Sequence, residues 1–296
     1  MVSRRLSNSA SGLALLLLLA VPAGCGSDEA PAPTTPPPPE PPPVGPPPAT
    51  LDLPDDPGHF FLEIWQGPGF VPIEYALGRP PQFAVTVGGE FYYEGAITEV
   101  FPGPLLPNIQ YGQFSEENLA SVIEATAATG ISQLGEVNIP QPPAGPVIAD
   151  APAHEVVLRD RRGFHLLRIE ALGAESHTDP RVMAVRDLLR ALDQASAETA
   201  AEPYSGERVQ VYVSVGPMTP NSPELNERPW PLPDSPPREE DTEGFECRVY
   251  EGQEAARLLA LFADANHGTR WDYEGTLHQL LARSLLPREE PCVSQR

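Results

Sequence analysis

Asp52, Asp55, Asp56 and His59 put three carboxylates and an imidazole into eight residues, donors of the kind that hold a divalent cation. The spacing lacks the Asp-x-Asp-x-Asp-Gly run and closing Glu of an EF-hand loop. Solvated carboxylates are therefore the expectation, with a metal site as the alternative. The acidic run 239–246 reads as a solvated loop by the same logic. Six histidines (His59, His154, His165, His177, His267 and His278) include no His-Glu-x-x-His pair, so a helix-borne zinc site has no support. His165 and His278 fall in expected strands and would meet only if their hairpins were neighbours. Asp179 stands two residues from His177 but is expected to cap a helix. For nucleophilic catalysis there is no Gly-x-Ser-x-Gly elbow; around Ser132 the glycines are Gly130 and Gly135, with the wrong second spacing. Gly67-Pro68-Gly69 is a turn rather than a phosphate cradle. All 19 basic residues are arginine, which excludes Walker-type phosphate loops, Schiff-base lysines and Ser-x-x-Lys sites. No catalytic residue and no cofactor is assigned. Paired carboxylates that could cleave a glycoside remain an alternative, because their separation is invisible in sequence.

The start of the chain carries chemistry of another kind. Arg4 and Arg5 precede an apolar run over residues 13–21, followed by Pro22-Ala23-Gly24 and Cys25. The run is too short for a membrane-spanning helix, which needs about 20 residues, and the order is that of a secretory signal. Small residues directly before a cysteine resemble the lipobox of bacterial lipoproteins, with Pro22 where leucine is usual. That resemblance implies acylation of Cys25 as the first residue of the mature chain. Between residues 26 and 50, 12 of 25 residues are proline, which favours an extended polyproline spacer and cannot build a core. At about 3.1 Å per residue, about 20 such residues reach about 60 Å.

With Cys25 so occupied, Cys247 and Cys292 remain, and in an oxidising compartment an isolated pair is expected to form a disulfide. It would close a loop of about 46 residues, worth about 4 kcal/mol in the chain-entropy model. The formal charge of −22 becomes −24 once Arg4 and Arg5 leave with the signal, which argues against a nucleic-acid partner.

Periodicity supplies the elements. Alternating apolar residues over 83–87 and 91–93, joined by Gly88-Gly89, predict a hairpin. A second hairpin is expected over 155–171 and a last one over 270–282, turning at Glu274-Gly275. Val209, Val211, Val213 and Val215 mark one face of a strand. Phe60, Phe61, Trp65, Phe70 and Tyr75 read as a first strand and a turn covering the core. Three helices are predicted. One is capped by Ser115, with Leu119, Val122, Ile123 and Ala127 on its face, and stops at Gly130. The second begins at Asp179-Pro180 and buries Val182, Val185, Leu189 and Leu192. The third carries Ala255, Leu258, Leu259 and Phe262. The proline-rich stretches 138–152 and 217–237 are expected to be loops.

The predicted fold class is α+β, antiparallel sheets with packed helices, arranged as two pseudo-repeated β-β-α-β-β units over 81–172 and 207–286. The domain reading is a signal over 1–24, a disordered Pro-rich linker over 25–50, and two α+β halves over 51–203 and 204–296 that form one domain or two.

Gly69-Phe70-Val71-Pro72-Ile73-Glu74-Tyr75-Ala76-Leu77 is followed by Pro81-Gln82-Phe83 and by Val100-Phe101-Pro102-Gly103-Pro104-Leu105-Leu106-Pro107-Asn108. Trp230-Pro231-Leu232, Cys247-Arg248-Val249, Ala265-Asn266 and Trp271 complete the set. Together these resemble an uncharacterised family of exported bacterial proteins and lipoproteins. The resemblance spans most of 60–292. It implies a shared fold and an extracytoplasmic address, and transfers no catalytic residue. The expectation is thus an envelope lipoprotein held to a membrane by lipid on Cys25. Its non-catalytic domain would serve binding or support, with an envelope protein or small ligand as partner. An exported carboxylate hydrolase and a secreted inhibitor or ligand-binding module, with 217–245 as its inserted segment, are the alternatives.

Overall fold

A computed structural model of the chain describes residues 50–67, 69, 77–96, 100, 102–142, 148, 151–213, 226–237 and 247–292. Thirteen strands and three α-helices lie among the described residues, an α+β fold. The first sheet contains β1 (Phe60–Gln66), β2 (Phe83–Thr86), β3 (Glu90–Glu94), β4 (Ile109–Gln113), β5 (Glu136–Ile139), β6 (Ala153–Asp160), β7 (Gly163–Glu170) and β8 (Ala201–Pro203). Their order across the sheet is β5-β7-β6-β1-β2-β3-β4-β8. The second sheet contains β9 (Arg208–Val213), β10 (Glu227–Pro229), β11 (Cys247–Glu251), β12 (Arg270–Tyr273) and β13 (Thr276–Ser284), ordered β10-β12-β13-β9-β11. Pairing is antiparallel except for β5 with β7 and β10 with β12.

The predicted hairpins form where alternation and turn residues agree. Phe83 pairs with Tyr93 and Val85 with Phe91 across the turn at Gly89, whose φ of 88° suits glycine. Leu158 pairs with His165 in the second hairpin and Tyr273 with Thr276 in the last. The loop expectations needed correction at two places. β5 takes residues 138 and 139, and β10 takes 227–229. Each is a short edge strand joined in parallel to a hairpin, so no turn signal in the sequence announces it.

Helix α1 (Glu116–Ala128) starts at Ser115, whose hydroxyl accepts from the Asn118 amide at 3.1 Å. Helix α2 (Pro180–Ala197) starts at Asp179, which accepts from the Arg181 amide at 2.9 Å, with Pro180 in the first turn. The two helices cover one face of the first sheet. Val122, Val182, Val185 and Leu192 join Leu62, Ile64, Phe83, Val85, Val156 and Leu167 in one core. Leu188 is buried there rather than the predicted Leu189, which is only partly covered. Helix α3 (Gly252–Phe262) lies on β9 and β11 and buries all four predicted residues against Val209, Val211, Trp230 and Trp271.

The expected β-β-α-β-β order does not recur: the first stretch runs β2-β3-β4-α1-β5-β6-β7 and the second β9-β10-β11-α3-β12-β13, and their strands are not arranged alike. In the first sheet β1 separates β2 from β6, whereas β9 pairs directly with β13 in the second. Helix α1 packs chiefly on α2, while α3 rests on strands. The two stretches share strands flanking a helix, but neither the predicted element order nor a common topology.

Candidate functional site

Cross-strand register places Glu63 opposite Ala84 and Val157, on the face of the first sheet turned away from α1 and α2. Tyr92 and Tyr111 continue that face. In the second sheet, Gln210 and Tyr212 on β9 and Leu281 and Arg283 on β13 point away from α3. These surfaces meet at a seam. Leu286 packs with Phe60, Ala84, Tyr92 and Ile109, and Leu77 packs with Tyr212 and Leu281.

Charge is buried at this seam. Arg283 is 5% exposed and forks onto Glu289, with Nη1–Oε2 at 2.9 Å and Nη2–Oε1 at 2.5 Å. Glu63, 8% exposed, accepts from Arg159. Burial raises the Glu63 carboxyl above its ordinary range; the Arg159 and Arg283 guanidiniums oppose that rise, and Glu289 adds to it. Burial likewise pushes the Tyr204 phenol up to about 12 and raises Tyr92 and Tyr212. The rings of Tyr92 and Tyr204 meet edge to face with centroids 5.1 Å apart.

Residues 285–292 strap the seam. The Tyr204 hydroxyl donates to the Leu285 carbonyl at 3.0 Å. Arg208 Nη2 donates to the carbonyls of Leu286 and Glu289 at 3.2 and 2.9 Å. Arg288 pairs with Asp56, and the Cys292 amide donates to Gln210 Oε1 at 2.7 Å. Cys292 is disulfide-bonded to Cys247, 45 residues away in sequence. Gly206 makes room for the strap, since a Cβ there would stand 2.8 Å from the Leu285 carbonyl oxygen.

The sequence-derived metal candidates are held otherwise. Arg161 hydrogen-bonds Asp55 and lies 3.7 Å from Asp52, while Arg288 holds Asp56 and lowers its pKa, the Gly58 amide assisting. Guanidiniums occupy these carboxylates because both arginines approach from segments distant in sequence. Among the described residues, no group of three His, Cys, Asp or Glu side chains is placed to hold a metal. His165 and His278 do not converge. His165 is buried on the first sheet with Nε2 3.2 Å from Asp160 Oδ1, and His278 faces Trp271 in the second. His177 Nε2 lies 2.9 Å from the Glu170 carbonyl oxygen. Burial lowers the pKa of His154 and His267. The acidic run 239–246 and Cys25 lie outside the described residues.

A groove of about 1020 Å³ opens beside the strap, between α3, Leu106-Pro107 and residues 204–208. Its floor is largely apolar, with Leu106, Leu259 and the small side chains of Ala256 and Ala260, and it includes Glu207, Arg208 and Glu251. Glu63 is not among its lining residues. The seam residues were missed in the sequence because each sits inside an apolar run: Glu63 between Leu62 and Ile64, Arg283 between Ala282 and Ser284-Leu285-Leu286. A charge in such a run was the available signal, since a strand buried on both faces must pair it. Compared with known protein families, curated proteins and solved structures, the chain matches none of them.

Proposed function

We propose that this chain is a cell-envelope lipoprotein of the exported family its motifs resemble. In this reading it is anchored by lipid on Cys25, spaced from the membrane by residues 26–50, and presents a non-catalytic α+β domain for binding or structural support. The observation that carries the reading is the Cys247–Cys292 disulfide, a bond that persists in oxidising, extracytoplasmic compartments. The seam supports it further, because its buried charges are already paired within the fold: Arg283 with Glu289 on the strap, and Glu63 with Arg159 on the neighbouring strand β6. No helix among the described residues is long and apolar enough to cross a membrane, an observation that does not bear on strands. An anchor other than a described helix is thus what the reading requires, and two or more acyl chains hold a protein stably. The partners proposed are the membrane, through the lipid, and an envelope protein or small ligand at the groove beside α3.

The hydrolase alternative needs a raised carboxyl above a cleft. Glu63 has the raised carboxyl, but the groove is lined by Glu207 and Glu251 instead. Metabolic labelling with palmitate tests the anchor. Wild-type protein is expected to take up label and a Cys25→Ser variant none; an unlabelled wild-type protein overturns the reading.

A further inference from the structure

Little apolar surface holds the strap. Leu285 and Leu286 are each 1% exposed, but Pro287, Arg288, Glu290, Pro291 and Cys292 face solvent. Beneath it lie Gln210 at 1% and Arg283 at 5% exposure, both polar and both hydrogen-bonded to the strap. Gln210 Oε1 receives the Cys292 amide, and the Arg283 fork is closed by Glu289. Segments with few buried apolar contacts open locally at far lower free energy than the core. What stands against such opening is a set of hydrogen bonds, the exposed Arg288–Asp56 pair and one covalent link whose Cys292 end is exposed.

We propose that the Cys247–Cys292 disulfide is a releasable clasp: reduction by a dithiol donor frees residues 287–292 to leave the seam, uncovering Arg283 and Gln210 while both sheets stay folded. A thiolate of the donor attacks the Cys292 sulfur, the disulfide bond breaks, and Cys247 departs as a thiolate and takes up a proton. The donor's second thiolate then attacks the mixed disulfide and expels Cys292, which is protonated in turn. The donor is oxidised by two electrons to its disulfide, and the protein gains two thiols. Arg208 loses its acceptor on Glu289 while keeping the Leu286 carbonyl, and Arg283 loses its carboxylate. Opening therefore bares the Arg283 guanidinium and loosens that of Arg208 in a protein whose charge is otherwise strongly negative.

The test uses the full chain and dithiothreitol as the donor. The expected result is reduction at a rate proportional to dithiothreitol and insensitive to urea below the unfolding transition. Amide exchange over 288–292 then rises on the order of tenfold or more, with no change in β1, β2, β6 and β7. A Cys247→Ser/Cys292→Ser variant should show the same pattern without reductant. Reduction that proceeds only at unfolding concentrations of urea overturns the proposal. Unchanged exchange over 288–292 after reduction does so too, as does an equal loss of protection throughout both sheets, the mark of a staple that only adds global stability. Should the double variant fail to fold, the reduction kinetics of the wild-type protein still decide.

Discussion

Glu63 works against the fold at neutral pH. Its carboxyl is raised because burial costs the charged form more than Arg159 and Arg283 return. The folded state therefore binds a proton at higher pH than the unfolded chain, so stability rises as pH falls through the raised value and levels off below the unfolded one. A Glu63→Gln variant keeps the shape without the charge. Thermal unfolding at pH 7 should give a Tm equal to or above that of the wild type, and the acid-side gain attributable to Glu63 should vanish. A clear drop in Tm at pH 7 would mean that the Arg159 pairing outweighs desolvation. His154, lowered by burial, contributes with the opposite sign: its share is complete above the unfolded histidine value and declines as pH falls through the folded one. The metal candidates teach a related lesson, because a cluster of carboxylates reads the same in sequence whether a cation or an arginine from over a hundred residues away answers it.

At the level of elements, the first sheet closes around Gly112 on β4. A Cβ there would fall 2.6 and 2.7 Å from the Phe91 ring and 3.1 Å from the Ala200 carbonyl oxygen. Phe91 is fully buried and stacks on Phe114 with centroids 4.0 Å apart, so the ring has nowhere to retreat. Gly112→Ala should cost about 1–3 kcal/mol in chemical denaturation, the range for overpacking a core. A neutral result would show that β4 can shift away from β3. Hairpins and helices were legible in advance because their causes are local. Gly-Gly turns, Ser115 and Asp179 caps and apolar stripes sit within a few residues of what they specify. Edge strands such as β5, β8 and β10 were not, since a three- or four-residue strand exists only because a neighbour offers it hydrogen bonds.

At the scale of the whole molecule, two sheets with separate cores on their outer faces are joined through a polar seam. Arg283 and Glu289 are 6% and 11% exposed in their side chains, which places the pair in the regime where losing one partner strands a charge. Arg283→Ala and Glu289→Ala should each cost about 3 kcal/mol or more. The double variant should cost well below the sum, a coupling read by a double-mutant cycle in urea. Additive losses would remove the pair from any part in holding the strap. The strap explains why this matters, since Glu289 reaches Arg283 only while residues 285–292 lie across the seam.

The α+β class, the hairpins, the three helices and the pairing of Cys247 with Cys292 were all contained in the amino-acid order, because each follows from short-range periodicity, local capping or simple elimination among three cysteines. The seam, its buried Arg283–Glu289 and Glu63–Arg159 pairs, and the arginine partners of Asp55 and Asp56 were decided by tertiary structure alone. Contacts between charged side chains leave no periodic trace in a sequence, and only the folded chain brings β1 beside β6, the strap onto Arg283, and Arg161 and Arg288 onto Asp55 and Asp56.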